Sequence, residues 1–393
     1  MNIKRHFENI PRTIWALGFV SMFMDISSEM IHSLLPVFLI SVLGASALAV
    51  GLIEGIAEAV ALITKTFSGV LSDWIRKRKV LIFIGYTLGT LTKPLFALAT
   101  GVNLVFTARF LDRIGKGIRG APRDALIADV TPAACRGAAY GLRQSLDTVG
   151  AFIGPLLAMV LMIITVGNFR SVFWVAVIPG MLAVAVIVFL VKEPSDMHSA
   201  VRPQSIHRRD ILMLDRSYWL VVGVGFVFTL ARFSEAFLLL RAQSVGVPTA
   251  FIPIVFVLMN IVYSLTAFPV GHLSDRLGRT GLLIAGLAAL IAADLTFCFA
   301  KTISHTAIGT ALWGLHMGFT QGLFAAMVAD TATPHLRGTA FGVFNLAGGL
   351  AMLISSIVAG LLWDVFGASA TFLAGAIFAA MTLVVYVPIR KRV

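Results

Sequence analysis

Apolar residues in this chain fall into long runs separated by short polar stretches. A helix rising about 1.5 Å per residue needs about 20 mostly apolar residues to cross the hydrocarbon core of a bilayer. Twelve runs meet that length: 13–38, 47–70, 79–100, 102–123, 138–165, 169–191, 217–241, 249–273, 280–300, 304–329, 337–363 and 366–388. None alternates with the period of two that a barrel strand requires. In lipid only helices and closed barrels satisfy their backbone groups. The pattern therefore predicts an all-α integral membrane protein with twelve transmembrane helices.

The longest polar segment, 192–216, contains Pro194 and Pro203 and lies between the sixth and seventh runs. It predicts two six-helix bundles, 1–191 and 217–393, joined by a loop. The two halves repeat. GVLSD at 69–73 returns as GHLSD at 271–275, and ADVTPAACRGAAYG at 128–141 returns as ADTATPHLRGTAFG at 329–342. Both pairs fall at equivalent loops, the mark of a transporter built from internal repeats.

Composition agrees. Hydrophobic residues make up 58% and charged residues 13% of the 393, against about 45–50% and about 25% in soluble domains. A soluble protein of this make-up would expose large apolar patches, which excludes a soluble enzyme, a disordered chain and a disulfide scaffold. The net charge is +12. The cations cluster in one set of loops, at Arg76 to Lys79, Arg119 to Arg136 and Lys192 to Arg216, while the alternate loops hold only Arg170, Arg241 and Lys301. The positive-inside rule then places both termini and the 192–216 loop in the cytoplasm, as expected of a bacterial inner-membrane protein. Cys135 and Cys298 have neither metal-type spacing nor a disulfide pattern, and the run after Lys4 and Arg5 is too long for a cleavable signal.

With Gly69, Leu71, Asp73, Lys77 and Arg78 after the second run, and Gly271, Leu273, Asp275, Arg276, Gly278 and Arg279 after the eighth, the chain resembles the major facilitator superfamily over essentially its whole length. Trp74 and Arg76 depart from the family's usual residues. Arg113, Lys116, Gly117, Gly120 and Ala121 resemble its span-4 motif, with Lys116 where Gln is usual. Gly141, Gly150, Gly154 and Pro155 resemble the antiporter motif of its drug exporters, although Leu157 and Ala158 replace expected glycines. The resemblance implies alternating access, a proton-coupling role for Arg113, spans 1, 4, 7 and 10 lining the substrate cavity, and a cytoplasmic latch made by Gly69, Asp73, Arg78, Asp275 and Arg276.

Charges at bilayer depth cost about 2.5–3.5 kcal/mol each on insertion scales and are usually functional or paired. The first half carries Asp25, Glu29, Glu54, Glu58, Asp112 and Asp147 against Lys65, Lys93, Arg109, Arg113, Lys116 and Arg143. Asp25, Glu29 and His32 share one face of span 1, and Arg109, Arg113 and Lys116 one face of span 4. Asp25 and Glu29 with Arg113, Glu58 and Glu54 are the candidates for proton coupling. Fixed ion pairs are the competing reading, including Asp112 with Arg109 or Lys116, and Arg143 with Asp147. In the second half Arg232 and Glu235, three apart, are the clear polar candidates, with Asp294 near mid-span beside them in the count. With Trp313, His316, His32, Arg109 and Lys116 they make the candidate substrate cavity.

The leading reading is a monomeric secondary transporter exporting a small organic compound, a drug or metabolite, in exchange for protons. The alternative is transport of a divalent metal ion or a siderophore-like chelate through Asp25, Glu29, Glu58 and His32. A receptor or a lipid-moving protein is the third. No nucleotide-binding Gly-x4-Gly-Lys-Ser/Thr motif occurs, so neither ATP nor another cofactor is expected, and the chain does not read as an enzyme.

Overall fold

The computed structural model describes residues 11–75, 77–132, 135–193, 214–320, 322–333 and 336–389, without the side chains of 268, 271–279, 388 and 389. Arg76, most of the 192–216 loop, and the side chains of Asp275 and Arg276 therefore lie outside the described residues. Everything regular among the described residues is helical. The helices are α1 (Arg12–His32), α2 (Leu35–Ser41), α3 (Ala47–Ile75), α4 (Arg78–Leu91), α5 (Lys93–Ala97), α6 (Val102–Val130), α7 (Arg136–Ile164), α8 (Phe169–Val175) and α9 (Val177–Leu190). They continue with α10 (Arg216–Ala231), α11 (Ala236–Ser244), α12 (Ile254–Cys298), α13 (Ile303–Thr320), α14 (Leu323–Thr331), α15 (Arg337–Phe366) and α16 (Ala368–Ile389).

Ten stretches among the described residues are long and apolar enough to cross a membrane. The expected span at 102–123 is helical and that at 304–329 is shared between α13 and α14, and both fall short on composition. Arg109, Asp112, Arg113, Lys116 and Arg119 interrupt the first, and His305, His316, threonines and glycines dilute the second. The loop expected between the eighth and ninth runs is helical, inside α12. The polar residues there end the apolar run without ending the helix. Expected span 7 is divided instead: the backbone leaves the helix at Arg232–Glu235, between α10 and α11. Non-helical backbone at membrane depth is tolerated only where protein or a cavity covers it.

Contacts gather the chain into two compact units, Met1–Leu35 with Val60–Gln204 and Pro36–Ala59 with Ser205–Val393. In the first, α1 packs against α7 and α9, and α4 against α6. Its core joins Leu17, Val20 and Met24 of α1 to Ile82 and Tyr86 of α4, Leu126 of α6 and Ile187 of α9. In the second, α12 packs against α13 and α16, and α10 against α15 and α16. Its core is aromatic. Phe233 meets Trp313 at 5.7 Å, Phe372 at 5.4 Å and Phe237 at 5.6 Å between ring centroids. Phe297 stacks on Phe372 at 4.9 Å. Large apolar side chains point outward, among them Phe67, Trp74, Phe189, Leu265 and Phe366, as suits a surface wetted by lipid.

Residues 36–59 join the second unit because small residues let α3 approach α15 backbone to backbone. A Cβ on Gly51 would lie 2.1 Å from the Ser356 carbonyl oxygen, and one on Gly360 would lie 2.6 Å from the Ala47 carbonyl oxygen. The Asp364 carboxylate closes the contact by accepting from the backbone N–H of Ala47 at 2.9 Å and of Leu48 at 2.8 Å. The first N–H groups of a helix have no partner within it, and its positive end favours an anion. Asp364 supplies both needs from another helix. Asp364→Ala is therefore expected to lower stability by about 0.5–2 kcal/mol, with Asp364→Asn losing less. Thermal unfolding of the purified variants checks this, and an unchanged midpoint for Asp364→Ala would contradict it.

Candidate functional site

The polar side chains of the first unit form two groups. The first is buried and fully ionic. The Lys93 ammonium, 1% exposed, donates to Asp112 Oδ1 at 2.9 Å and to Ser28 Oγ at 3.1 Å. Arg113 Nε lies 3.8 Å from Asp112 Oδ2. Arg109 and Arg119 are buried as well, and Arg119 stacks on the Tyr86 ring at 4.6 Å. Gly89 makes room for this group, since a Cβ there would lie 3.0 Å from Arg119 Nη1 and 3.5 Å from Asp112 Oδ1. Asp112 thus takes a cation from α5 as well as facing arginines of its own helix.

The second group is half-buried and acid-rich. Asp25 and Asp147 face each other across α1 and α7. Arg143 Nη1 lies 3.5 Å from Asp147 one turn away, and Lys116 is within electrostatic reach of Asp25. Glu29 faces His32 Nδ1 at 3.5 Å, with Lys116 and Arg113 further off. Asp147 and His32 thus stand beside the two span-1 acids, and Arg113 sits with Asp112.

Glycines set this meeting. A Cβ on Gly150 would lie 2.5 Å from the Met22 carbonyl oxygen and 3.0 Å from the Asp25 Cβ; one on Gly154 would lie 2.8 Å from the Glu29 Cβ. Gly150, Gly154 and Pro155 are buried in α7, whereas a Cβ on Gly141 would meet nothing within 4 Å. Two of the glycines singled out in the sequence thus bring α7 onto α1 beside the two acids.

At the end of α3, Asp73 lies 3.5 Å from Arg78, whose Nε is 3.0 Å from Asp129. Glu193, not singled out in the sequence, accepts from the backbone N–H of Arg78 at 2.6 Å and of Lys79 at 3.3 Å and so caps α4. Gly69 faces Ala121, whose Cβ would be 3.4 Å from its own.

In the second unit, Arg232, Glu235, Trp313 and His316 fall near one another around the break in span 7. Arg232 lies over the Phe228 ring at 5.8 Å, and that ring is 5.5 Å from the His316 imidazole. Trp313 and His316 are 6.2 Å apart between centroids. His316 Nδ1 donates to the Gly286 carbonyl at 3.0 Å, which leaves Nε2 as the acceptor. Ser234 of the break donates its N–H to Ser356 Oγ at 3.2 Å. Glu54 is buried on the part of α3 that belongs to this unit, and Glu58 follows one turn on. No group of three His, Cys, Asp or Glu side chains that could hold a metal ion is found among the described residues.

Comparison with known proteins places these features in context. The family model of the Major Facilitator Superfamily matches residues 17–241 and 221–393. An uncharacterised MFS-type transporter of Methanocaldococcus jannaschii is 32% identical over 97% of this chain and 96% of its own. Among solved structures, a peptide transporter of the POT family superposes with a TM-score of 0.81 at 13% identity, covering 100% of this chain and 98% of that one. A bacterial homologue of the human lysosomal transporter Spinster superposes with a TM-score of 0.78 at 15% identity, covering 96% of each chain. At such identities the two structures speak for the fold alone.

Two outcomes follow from the packing. Gly154→Ala is expected to cost about 1–3 kcal/mol, because its methyl group meets Glu29 and the α1 backbone. Gly141→Ala, facing open space, is expected to stay within about 0.5 kcal/mol of the parent. Denaturation of the two variants side by side checks this, and equal losses would contradict it. Lys93→Met is expected to cost about 3–5 kcal/mol by stripping a buried carboxylate of a cation, against about 0.5 kcal/mol or less for Lys79→Met at the surface. A small, equal effect of both would show that the buried group does not depend on Lys93.

Proposed function

This chain belongs to the major facilitator superfamily, and we propose that within it the protein is a proton-coupled exporter of a small organic compound. The observation that carries the reading is the pair of acids Asp25 and Asp147, half-buried and facing each other where Gly150 presses α7 onto α1. A proton shared by two acids is released when the helices carrying them part, because two charges that no longer face each other both ionise more readily. Alternating access rocks one bundle against the other, and in this reading that rocking is accompanied by a parting of α7 from α1 within the first bundle. The proton thereby couples to the conformational cycle without ATP.

The two charge groups divide the labour in this reading. Lys93, Asp112, Arg109 and Arg113 form a fixed scaffold. Asp25 with Asp147, and Glu29 with His32, exchange protons, and Glu58 and Glu54 remain secondary candidates. The Asp73–Arg78–Asp129 contacts belong to the cytoplasmic latch, with both termini in the cytoplasm of a bacterial inner membrane and the halves 1–191 and 217–393 moving as bundles. Arg232 and Glu235, set on unwound backbone beside Phe228, Trp313 and His316, read a charged group on an aromatic or amphipathic substrate. Aromatic walls with few polar groups suit such molecules. The glycine contact of α1 with α7, at positions resembling the antiporter motif, favours export over uptake.

Thermal-shift screening of purified protein against organic cations, organic anions and divalent metals identifies the class, since a ligand that binds the folded state stabilises it by mass action. Stabilisation by an organic compound is expected, and stabilisation by metals alone would overturn the substrate assignment. With that compound in proteoliposomes, flux is expected to follow an imposed pH gradient without ATP. Asp25→Asn and Asp147→Asn are each expected to remove that dependence while binding persists. Equal flux with and without the gradient, at matched membrane potential, would end the proton-coupling reading.

A further inference from the structure

The second unit contains an acid that the mechanism above does not use. Asp294 lies on α12, three residues before Phe297, and is 0% exposed. Neither carboxyl oxygen has a hydrogen-bond partner. Its closest surroundings are apolar. A Cβ on Gly375 of α16 would lie 2.7 Å from Asp294 Oδ2 and 2.9 Å from Phe233 Cε1, so acid, ring and α16 backbone meet at one point. Phe233 and Gly375 also line a cavity of about 60 Å³, together with Ser355 and Thr371.

Charged or titratable groups on the neighbouring elements are engaged elsewhere. On α13, His316 donates to the Gly286 carbonyl, two turns of α12 away from Asp294, and His305 bonds Thr302 at the helix start. On α11, the Arg241 guanidinium donates to the carbonyls of Phe297, Cys298 and Ala300. On α16 the titratable side chain among the described residues is Tyr386, which donates to Thr280 Oγ1. At the span-7 break, Arg232 lies over Phe228 and within electrostatic reach of Glu235. On α12 itself Cys298 follows one turn on. None of these pairs with Asp294, among the described residues.

An isolated ionised carboxylate in an apolar interior is so costly that the group takes a proton instead. A neutral carboxylic acid needs no counter-charge and has the size of asparagine. We propose that Asp294 is a protonation site of the second unit, holding a proton while α12, α16 and Phe233 are packed as they are here. It is separate from the Asp25–Asp147 pair in chain position and in packing unit. Only its use in a transport cycle rests on the function proposed above; its protonation does not.

The test needs no substrate. Infrared spectra of purified protein at neutral pH, in H2O and in D2O, resolve the carbonyl stretch of protonated carboxyl groups. The wild type is expected to show a component that Asp294→Asn loses, with the thermal midpoint of the variant close to that of the parent. Identical carboxyl bands in the two proteins would show that Asp294 is ionised and would overturn the proposal. If Asp294→Asn does not yield folded protein, Asp294→Glu decides in its place. A shifted carboxyl band supports the proposal, and an unshifted one contradicts it. Because the readout is protonation and not flux, failure here leaves the export reading intact, and failure of export leaves this site intact.

Discussion

An ionised side chain away from water has to be neutralised by a partner or by a proton, and that constraint organises the polar interior of this protein. Two solutions appear. Lys93 and Asp112, with Arg113 beside them, neutralise one another at 2.9 and 3.8 Å and are buried. Asp25 and Asp147 face each other across two helices, and in the proposed cycle a proton stands between them. The first solution is rigid, because breaking it strands a buried charge. The second is poised to change, because its geometry depends on how closely α7 lies on α1.

Closeness of helices is in turn set by glycine. Without a hydrophobic driving force between helices in lipid, small residues at the interface let backbones approach and pack. Gly150 and Gly154 do this beside Asp25 and Glu29, and Gly85 and Gly115 do it between α4 and α6, where a Cβ on either would lie 2.7 Å from the other's carbonyl oxygen. The two units solve the problem with different materials. The first is knit by ion pairs and glycines; the second is filled with aromatic rings around Phe233 and Phe372.

Much of this was legible in the sequence. The lengths of the apolar runs placed nearly every helix, and the repeat of Gly69–Asp73 at Gly271–Asp275 pointed to the family. The glycines at 150 and 154 were visible as a motif, although what they press against was not. Partners were harder to read. Helical spacing suggested Asp147 with Arg143, one turn away, and those two groups do lie 3.5 Å apart, but the contact of Asp147 with Asp25 crosses between helices and leaves no local trace. Lys93 as the partner of Asp112, Glu193 as the cap of α4 and Asp364 as the cap of α3 are likewise tertiary. Signals existed for two of them: an acid in or beside an apolar run needs a donor, and the start of α4, without a capping side chain of its own, needs an acceptor. The break at Arg232–Glu235 was hidden because its residues carry neither proline nor glycine.

The central claim is that Asp25 and Asp147 act as one pair in handling a proton. Carboxyl 13C resonances of aspartate-labelled protein, assigned by Asn substitution, measure it directly. The account predicts that Asp147→Asn alters the pH response of the Asp25 resonance, as substitution of an interacting partner must. An Asp25 resonance indifferent to that substitution would contradict it.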